Sequence, residues 1–428
     1  MIDTDYTSYK ISNEKDYTYT SNSNISDIND SKVRDICDLC FIDNDNFFKK
    51  INNQEVESGY NFRPVFSYYN GNNNYILFVG SVSFWLIQRV SFAFCIIFIE
   101  EKIIVHRGKK DNKLSLAIED INYFVEKGLV LLENPYLYLI NGYSRPYHYF
   151  YDTMQTYSYG DLSVFSKYLD LEESAYLPSS VLGISVNSET VSQNEVNNYL
   201  LEENAVGFTA SSIPSVKNIS FIEEFSDCML TNIDSKNIEN SNSSNNKFII
   251  WIGLCQESRQ WVEQKESIIR LIKELNDIHK NIFLVFDGLT CPHYLDSINF
   301  LTKKCSKETR LLDSIIKESG LTSKDFISLI GAKAIDKISI SHSVNFFISD
   351  ALTDSIWPAS FGKKPGVAYS IERAKTVHFH PKTFFIPNEN IKEIGDGTGN
   401  WARVNFSIDP DFFVKFTMDT LSKTIAEV

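Results

Sequence analysis

His148 and Asp152 stand four residues apart in the segment SRPYHYFYD, which follows an apolar run. If a helix begins near Pro146, the two side chains share one helical face. An imidazole beside a carboxylate can act as a general base, because the carboxylate holds the ring in one tautomer. The alternative is a core histidine among tyrosines, with Asp152 as its hydrogen-bonding partner. The spacing is therefore compatible with a catalytic base or with a buried polar pair.

Two further features have the chemistry of an anion site. Arg259 follows an apolar run in CQESRQW, and a guanidinium there could bind a phosphate with two hydrogen bonds. Thr353, Asp354 and Ser355 are capping residue types before a helical stretch, and a helix start offers free N–H groups to a diphosphate. The alternatives are a surface arginine and a plain helix cap.

Other polar motifs are better explained by structure than by chemistry. The Asp-Asn-Asp at 43–45 lies in a polar region before any βαβ unit, so a solvated loop is the better interpretation. The Cys-x-x-Cys at 37–40 has no second pair, and the His-Phe-His at 378–380 has no third ligand. Lys363 and Lys364 are assigned to a solvated turn. We therefore expect no bound metal and no cofactor.

The elements that must position these groups are clearest after residue 247. Apolar runs alternate there with helical patterns, which predicts a parallel α/β sheet with right-handed crossovers. The predicted strands are 248–254, 282–286, 327–330 and 345–349, and the predicted helices are 267–279, 307–319 and 334–341. Ligands of such sheets bind beyond the carboxyl ends of the strands. That rule adds Asp287, Gly288 and Gly331, which end the second and third strands, to the candidate ligand-binding residues.

The chain length of 428 residues predicts two domains. Residues 1–35 form a polar lead-in, and 36–234 form an N-terminal domain that is rich in strand patterns. A Ser- and Asn-rich stretch at 235–247 is interpreted as a linker or mobile loop, and 248–428 form the second domain.

Composition excludes several classes of protein. The net charge of −14 and the lack of a basic run argue against nucleic acid as a partner. Direct capture by an anionic membrane is disfavoured for the same reason, although peripheral association through a local basic patch stays open. The apolar run at 82–99 carries Gln88 and Arg89 at its centre, so we predict two buried strands rather than a membrane span. No export signal is visible, and the seven cysteines are odd in number, so a cytoplasmic protein is expected.

The run from the fourth strand through the small-residue turn to FGKKPGV resembles the donor-site region of GT-B-fold glycosyltransferases, over roughly 248–370. SRPYHYFYD resembles a motif in the N-terminal domain of transferases that act on cell-surface glycans. The resemblance implies two Rossmann-like domains facing a cleft, with additional strands in the N-terminal domain. It also implies a nucleotide-sugar donor and a glycan or glycolipid acceptor. The acidic residue that often binds the donor ribose has only Glu372 as a counterpart, so the nucleotide is not identified.

Two other functions fit the same scaffold. One is another group transfer, such as pyruvyl transfer onto a polysaccharide, which would require a basic cluster for phosphoenolpyruvate that the sequence does not show. The other is a transferase-like protein without catalysis that serves in an assembly.

Overall fold

The computed structural model forms two compact units. It describes residues 10–13, 62–66, 68–70, 73–78, 84–89, 92–98, 103–106, 136–142, 146, 149–150, 165–182, 187–203, 205–210, 247–254, 256, 260–278, 281–351, 355–370, 383–395 and 404–426. The N-terminal unit comprises Met1–Gly142, Tyr151–Glu172 and Ile184–Ser215. The C-terminal unit comprises Tyr143–Phe150, Glu173–Gly183 and Val216–Val428, so it includes two segments from the first half of the chain.

The described strands of the N-terminal unit form two sheets. They are β1 (Lys10–Asn13), β2 (Phe62–Phe66), β3 (Tyr68–Asn70), β4 (Asn73–Phe78), β5 (Phe84–Arg89), β6 (Phe92–Phe98), β7 (Ile103–His106), β8 (Tyr136–Asn141), β9 (Lys167–Leu171), β10 (Ser188–Val191) and β11 (Ala205–Ala210). Helix α1 (Val196–Glu202) completes the list, and a 3-10 turn (Ser179–Leu182) lies in a segment that belongs to the C-terminal unit.

One sheet, ordered β1-β7-β6-β5-β4-β3, is antiparallel except for the β1–β7 pair. The other is ordered β10-β9-β8-β11-β2, and its first four strands are parallel. The expected N-terminal fold, a parallel sheet with additional strands, is therefore observed.

The apolar run at 82–99 forms the antiparallel pair β5 and β6, as predicted. Trp85, Ile96 and Ile97 are fully buried. Within the described ranges, no helix combines the length and the hydrophobicity that a membrane span requires.

The described elements of the C-terminal unit alternate between strand and helix. They are β12 (Phe248–Gly253), α2 (Gln264–Ile278), β13 (Ile282–Asp287), α3 (Ser297–Lys304), α4 (Ser306–Ser319), β14 (Phe326–Ser328), α5 (Ala334–Ser341), β15 (Phe346–Asp350), a π-helix (Ile356–Phe361), β16 (Gly366–Tyr369), β17 (Thr383–Phe385), a 3-10 turn (Asn388–Asn390), β18 (Lys392–Ile394), β19 (Asn405–Ser407) and α6 (Pro410–Ala426).

The main sheet of this unit has the order β14-β13-β12-β15-β16-β17, and every adjacent pair is parallel. The prediction of four parallel strands is thus confirmed, and the α/β class with it. In sequence order the strands read 3-2-1-4-5-6, which is the strand order of the Rossmann fold.

The reversal of strand order after β12 requires crossovers on both faces of the sheet. Right-handed connections put α2 and α4 on one face, and α5 and the π-helix on the other. In agreement, α2 contacts α4, and α5 contacts the π-helix. Every residue of β15 and β16 is buried, as expected for strands covered on both faces. The apolar face predicted for α2 is also buried, at Ile268, Ile269, Leu271, Ile272 and Leu275.

Gly366 begins β16 where that strand lies against β15. A Cβ atom on Gly366 would lie 2.3 Å from the Phe347 ring and 2.4 Å from the Phe347 carbonyl oxygen. Neither the ring nor the backbone can move without disturbing the pairing of Gly366 with Phe347.

We therefore expect Gly366→Ala to lower the free energy of unfolding by about 1–3 kcal/mol or more, because the sheet cannot accommodate the methyl group. Urea unfolding followed by circular dichroism measures this. The control is Gly320→Ala, where φ is 74° and no atom lies within 4 Å of the added Cβ. That variant suffers only the left-handed backbone penalty of about 1–2 kcal/mol. Wild-type stability of Gly366→Ala would contradict the steric argument.

Candidate functional site

The strand order defines where a ligand would bind to the C-terminal unit. The order reverses between β12 and β15, so the crossovers from these two strands leave the sheet on opposite faces. In an open parallel sheet, this creates a crevice beyond the carboxyl ends of the two strands. The crevice of this unit therefore lies after Gly253 and Asp350.

A buried amide organises the loop that follows β12. Gln264, the first residue of α2, is 1% exposed, and its Nε2 donates to the Gly253 carbonyl oxygen at 3.2 Å and to the Tyr369 hydroxyl at 3.0 Å. The Tyr369 hydroxyl donates in turn to the same carbonyl at 3.2 Å. Gln264 Oε1 accepts from Gln256 Nε2 at 3.0 Å. The ends of β12 and β16 and the start of α2 are thereby held together.

The far end of this loop is fixed by the C-terminal segment. The Gln260 N–H donates to Asn405 Oδ1 at 3.0 Å, and its carbonyl accepts from the Phe406 N–H at 3.0 Å. The Trp261 ring packs against Phe413 with 4.6 Å between ring centroids. Arg259 lies outside the described residues, but the residues that bracket it on either side, Gln256 and Gln260, are both hydrogen-bonded.

Asp287 ends β13, and its carboxyl group is fully buried. The Asp287 Oδ1 atom lies 2.5 Å from the Nζ atom of Lys337, which is also 0% exposed. Burial raises the pKa of the Asp287 carboxyl to about 6, and the Lys337 ammonium opposes part of that rise. Gly288 follows in the same buried loop, where an added Cβ would lie 3.3 Å from the Cγ atom of the buried Glu308.

Gly331 turns the chain after β14. Its φ of 72° is in the left-handed region that glycine adopts without strain. The Gly331 N–H donates to the Leu289 carbonyl at 2.8 Å, and the Cys291 N–H donates to the Ala332 carbonyl at 3.0 Å. The structure therefore brings the predicted residues Gly288 and Gly331 into adjoining loops, and Asp287 is the last strand residue before the first of these loops.

Ser355 immediately precedes the π-helix and is 1% exposed. Its carbonyl accepts from the Ala359 N–H at 2.9 Å, and its side chain forms no capping hydrogen bond with the helix. Thr353 and Asp354 lie outside the described residues. The expected helix therefore begins at Ile356 and has π rather than α geometry, a form that occurs frequently at functional sites.

His148 and Asp152 also lie outside the described residues, but the two residues after His148 are buried in the C-terminal unit. The Tyr149 hydroxyl donates to the Leu177 carbonyl at 3.0 Å. The Phe150 ring meets Trp357 edge-on at 5.1 Å and Phe361 at 5.4 Å. This contact attaches the segment after β8 to the π-helix.

The parallel sheet of the N-terminal unit has a reversal of its own. The order changes between β8 and β11, and the segment SRPYHYFYD follows β8. Asn141 at the end of β8 donates to Asp170 Oδ1 on β9 at 2.6 Å, and both residues are 1% exposed. This buried pair was not singled out in the sequence, where neither residue belongs to a motif.

Lys363 and Lys364 lie between the π-helix and the first residue of β16, at the amino edge of the sheet and away from the crevice. Lys363 has a positive φ of 53°. Burial lowers the pKa of the Lys364 ammonium. The turn that we predicted for these residues is present, and Lys364 is half-buried in it.

Lys337 is the functional candidate that sequence reasoning missed. The buried residues of α5 are Ala334, Lys337, Ile338 and Ser341, so the lysine lies on the inward face of its helix. The helical period places Lys337 on the same face as the apolar residues of α5, and a lysine on such a face is rarely buried without a partner. This position in the pattern could have identified Lys337 from the sequence.

Comparisons with known proteins give weak structural similarities. No protein-family model matches the chain, and no curated protein sequence matches it. The E. coli ADP-heptose LPS heptosyltransferase II is 12% identical with a TM-score of 0.32, covering 62% of this chain and 78% of its own. An α,α-trehalose-phosphate synthase (UDP-forming) from Burkholderia vietnamiensis is 8% identical with a TM-score of 0.30, covering 76% and 81%. A glycosyltransferase from Rickettsia africae is 15% identical with a TM-score of 0.29, covering 68% and 72%. At these values the similarities carry no argument about activity.

The buried carboxyl group gives a pH dependence of stability. Its pKa is about 6 in the folded chain and 3.8 ordinarily, so the folded chain binds more protons between these values. The contribution of Asp287 to stability is thus complete below pH 4 and is lost as the pH rises through 6. Between pH 4 and pH 7, wild type should lose on the order of 2–3 kcal/mol of unfolding free energy relative to the double variant Lys337→Met/Asp287→Asn, which carries neither buried charge.

Urea unfolding of both proteins across this pH range measures the difference, and the other carboxyl groups cancel in the comparison. The opposite slope would mean that attraction to Lys337 outweighs the effect of burial.

Proposed function

We propose that this chain is a glycosyltransferase that moves a sugar from a nucleotide-activated donor to a bacterial surface glycan or glycolipid, without a metal ion. In this proposal, residues 248–428 bind the donor and residues 36–234 hold the acceptor. In the same proposal, 235–247 link the two domains. A cytoplasmic location, with peripheral association where the acceptor is a glycolipid, belongs to the same proposal.

The observation that carries this proposal is the anchored crevice of the C-terminal sheet. Its strand order provides a crevice of the kind that binds nucleotides. The loop after β12 is held at one end by Gln264 and at the other by Asn405. A loop fixed at both ends can present a charged side chain to a ligand at little entropic cost.

The donor chemistry requires positive charge at the diphosphate. As the bond between the anomeric carbon of the sugar and the diphosphate breaks, negative charge grows on the leaving nucleoside diphosphate. Arg259 on the anchored loop is our candidate for a bidentate contact with it. The backbone N–H groups near Thr353, Asp354 and Ser355 are the second source of stabilisation. Together they would replace the metal ion that other transferases use.

The acceptor chemistry requires a base. An inverting transfer needs a group that removes the proton of the acceptor hydroxyl as the anomeric carbon is attacked. His148 and Asp152 are our candidates, because their segment follows β8, the strand beside the reversal in the N-terminal sheet. The burial of Tyr149 and Phe150 supports a fixed backbone next to His148.

Replacing Arg259 with alanine should weaken nucleotide diphosphate binding about tenfold or more, because a charge-assisted contact contributes about 1.5–3 kcal/mol. Calorimetric titration with UDP, GDP, ADP and CMP would identify the ligand and measure the loss. The matched control is Arg310→Ala, which removes an exposed arginine from α4. Equal affinities of wild type and Arg259→Ala would remove Arg259 from the site.

His148→Ala and Asp152→Asn should reduce turnover while leaving nucleotide affinity unchanged, with one variant far more damaging than the other. Loss of a general base typically lowers the rate about 10²–10⁴-fold. The assay measures the release of nucleoside diphosphate from the donor, with and without acceptor. Repeating it with EDTA tests whether the transfer is independent of a metal ion. His342→Ala is the control, since His342 ends α5 at the opposite sheet edge. Wild-type turnover of both variants would locate the base elsewhere.

A further inference from the structure

The Lys337 ammonium uses its N–H groups to hold the loop that follows β13. Lys337 Nζ lies 2.5 Å from Asp287 Oδ1, 2.7 Å from the Gly288 carbonyl oxygen and 2.9 Å from Thr290 Oγ1. An ammonium has three N–H donors, so these contacts satisfy it. A buried cation with satisfied donors is held firmly, since any displacement would leave a charge unpaired away from water.

The other side of the same ammonium faces an aromatic ring. Lys337 Nζ lies 5.7 Å from the centroid of the Trp357 ring, within the range of a cation–π contact. Trp357 belongs to the π-helix, stacks on Phe361 and is fully buried. The ammonium therefore lies between the β13 loop (Asp287–Thr290) and the helix that follows β15.

The β13 loop and the π-helix, which Lys337 connects, follow two strands close to the strand-order reversal. β13 and β15 are the two neighbours of β12, the central strand of the reversal. The β13 loop and the π-helix thus follow the two strands that lie on either side of β12, at the edge of the sheet where the crevice lies. One ammonium contacts both of these elements, and its charge is balanced by Asp287, so it is not free to neutralise a ligand.

We propose that Lys337 is a positioning residue of the donor site, which sets the separation between the β13 loop and the π-helix. This inference rests on the proposed function, because it assigns the crevice to a nucleotide diphosphate. Lys337 acts through the elements it holds and does not itself touch the donor.

The test uses the double variant Lys337→Met/Asp287→Asn, which removes the ammonium without leaving a buried carboxylate unpaired. Two controls accompany it. Lys265→Met breaks the exposed ion pair with Glu318 and leaves the crevice intact. Gly366→Ala lowers global stability from the opposite edge of the sheet, so it separates general destabilisation from local positioning.

The first readout needs no ligand. The amides of Cys291, His293 and Gly331 donate to the Ala332, Ala175 and Leu289 carbonyls, and their hydrogen exchange reports on the β13 loop. In the double variant, we expect these amides to exchange about tenfold faster or more than in wild type, well below the melting temperature. Unchanged exchange would overturn the positioning role, whatever nucleotide the protein binds.

The second readout is the dissociation constant for UDP, GDP, ADP and CMP. The double variant should bind the preferred nucleotide about tenfold more weakly, and both controls should bind it as wild type does. Equal affinity in wild type and a folded double variant would overturn the inference. Failure of wild type to bind any of the four would instead overturn the proposed function.

Thr290→Val keeps the inference testable if the double variant does not fold. It removes one acceptor from the ammonium and leaves the ion pair intact. Faster exchange at Cys291 and His293, with a smaller loss of nucleotide affinity, supports the proposal. Wild-type values for both measurements contradict it.

Discussion

A lysine ammonium cannot be buried in a protein core unless every one of its N–H groups finds an acceptor. In this chain that requirement falls on Lys337, and Asp287 with the loop that follows it supplies the acceptors. The side chain of Lys337, on the helix after β14, thus determines the conformation of the β13 loop. Gly331 adds a backbone link from the same side, because its N–H donates to Leu289. The β13 loop, beside the crevice, therefore depends on the buried ammonium of Lys337.

The sheet of the C-terminal unit was predictable because its signals are local. The runs FIIWIGL and NIFLVFD are continuously apolar, and the helix between them repeats isoleucine and leucine at helical spacing, so the pattern alone specifies parallel strands. Membership of the units was not predictable in the same way. Tyr149 and Phe150 pack on Trp357 and Leu177, and no local pattern records a contact between aromatic residues about two hundred positions apart. The predicted domain boundary at 235–247 stays a prediction.

The candidate site was predicted only in part, for a related reason. Polar and glycine residues at the ends of strands indicate the edge of the sheet at which ligands bind, and Asp287, Gly288 and Gly331 do lie at that edge. The sequence could not indicate that the Asp287 carboxylate pairs with a lysine fifty positions later. It could not identify Gln264 either, because a glutamine at a helix start is ordinary until Gly253 and Tyr369 are brought beside it. The roles of Arg259, His148 and Asp152 stay predictions.

The ion pair constrains how a diphosphate could be stabilised in the proposed site. Lys337 is a buried cation beside the β13 loop, but Asp287 balances its charge, so the pair attracts an anionic ligand far less than a free ammonium would. The whole chain carries a net charge of −14, which gives a diphosphate no general attraction. Neutralisation must then come from short-range groups at the crevice itself. In the proposed function, these groups are Arg259 and the backbone N–H groups near Thr353, Asp354 and Ser355. In the proposed site, the two tasks therefore fall to different residues: Lys337 fixes the geometry, and Arg259 is proposed to supply the charge.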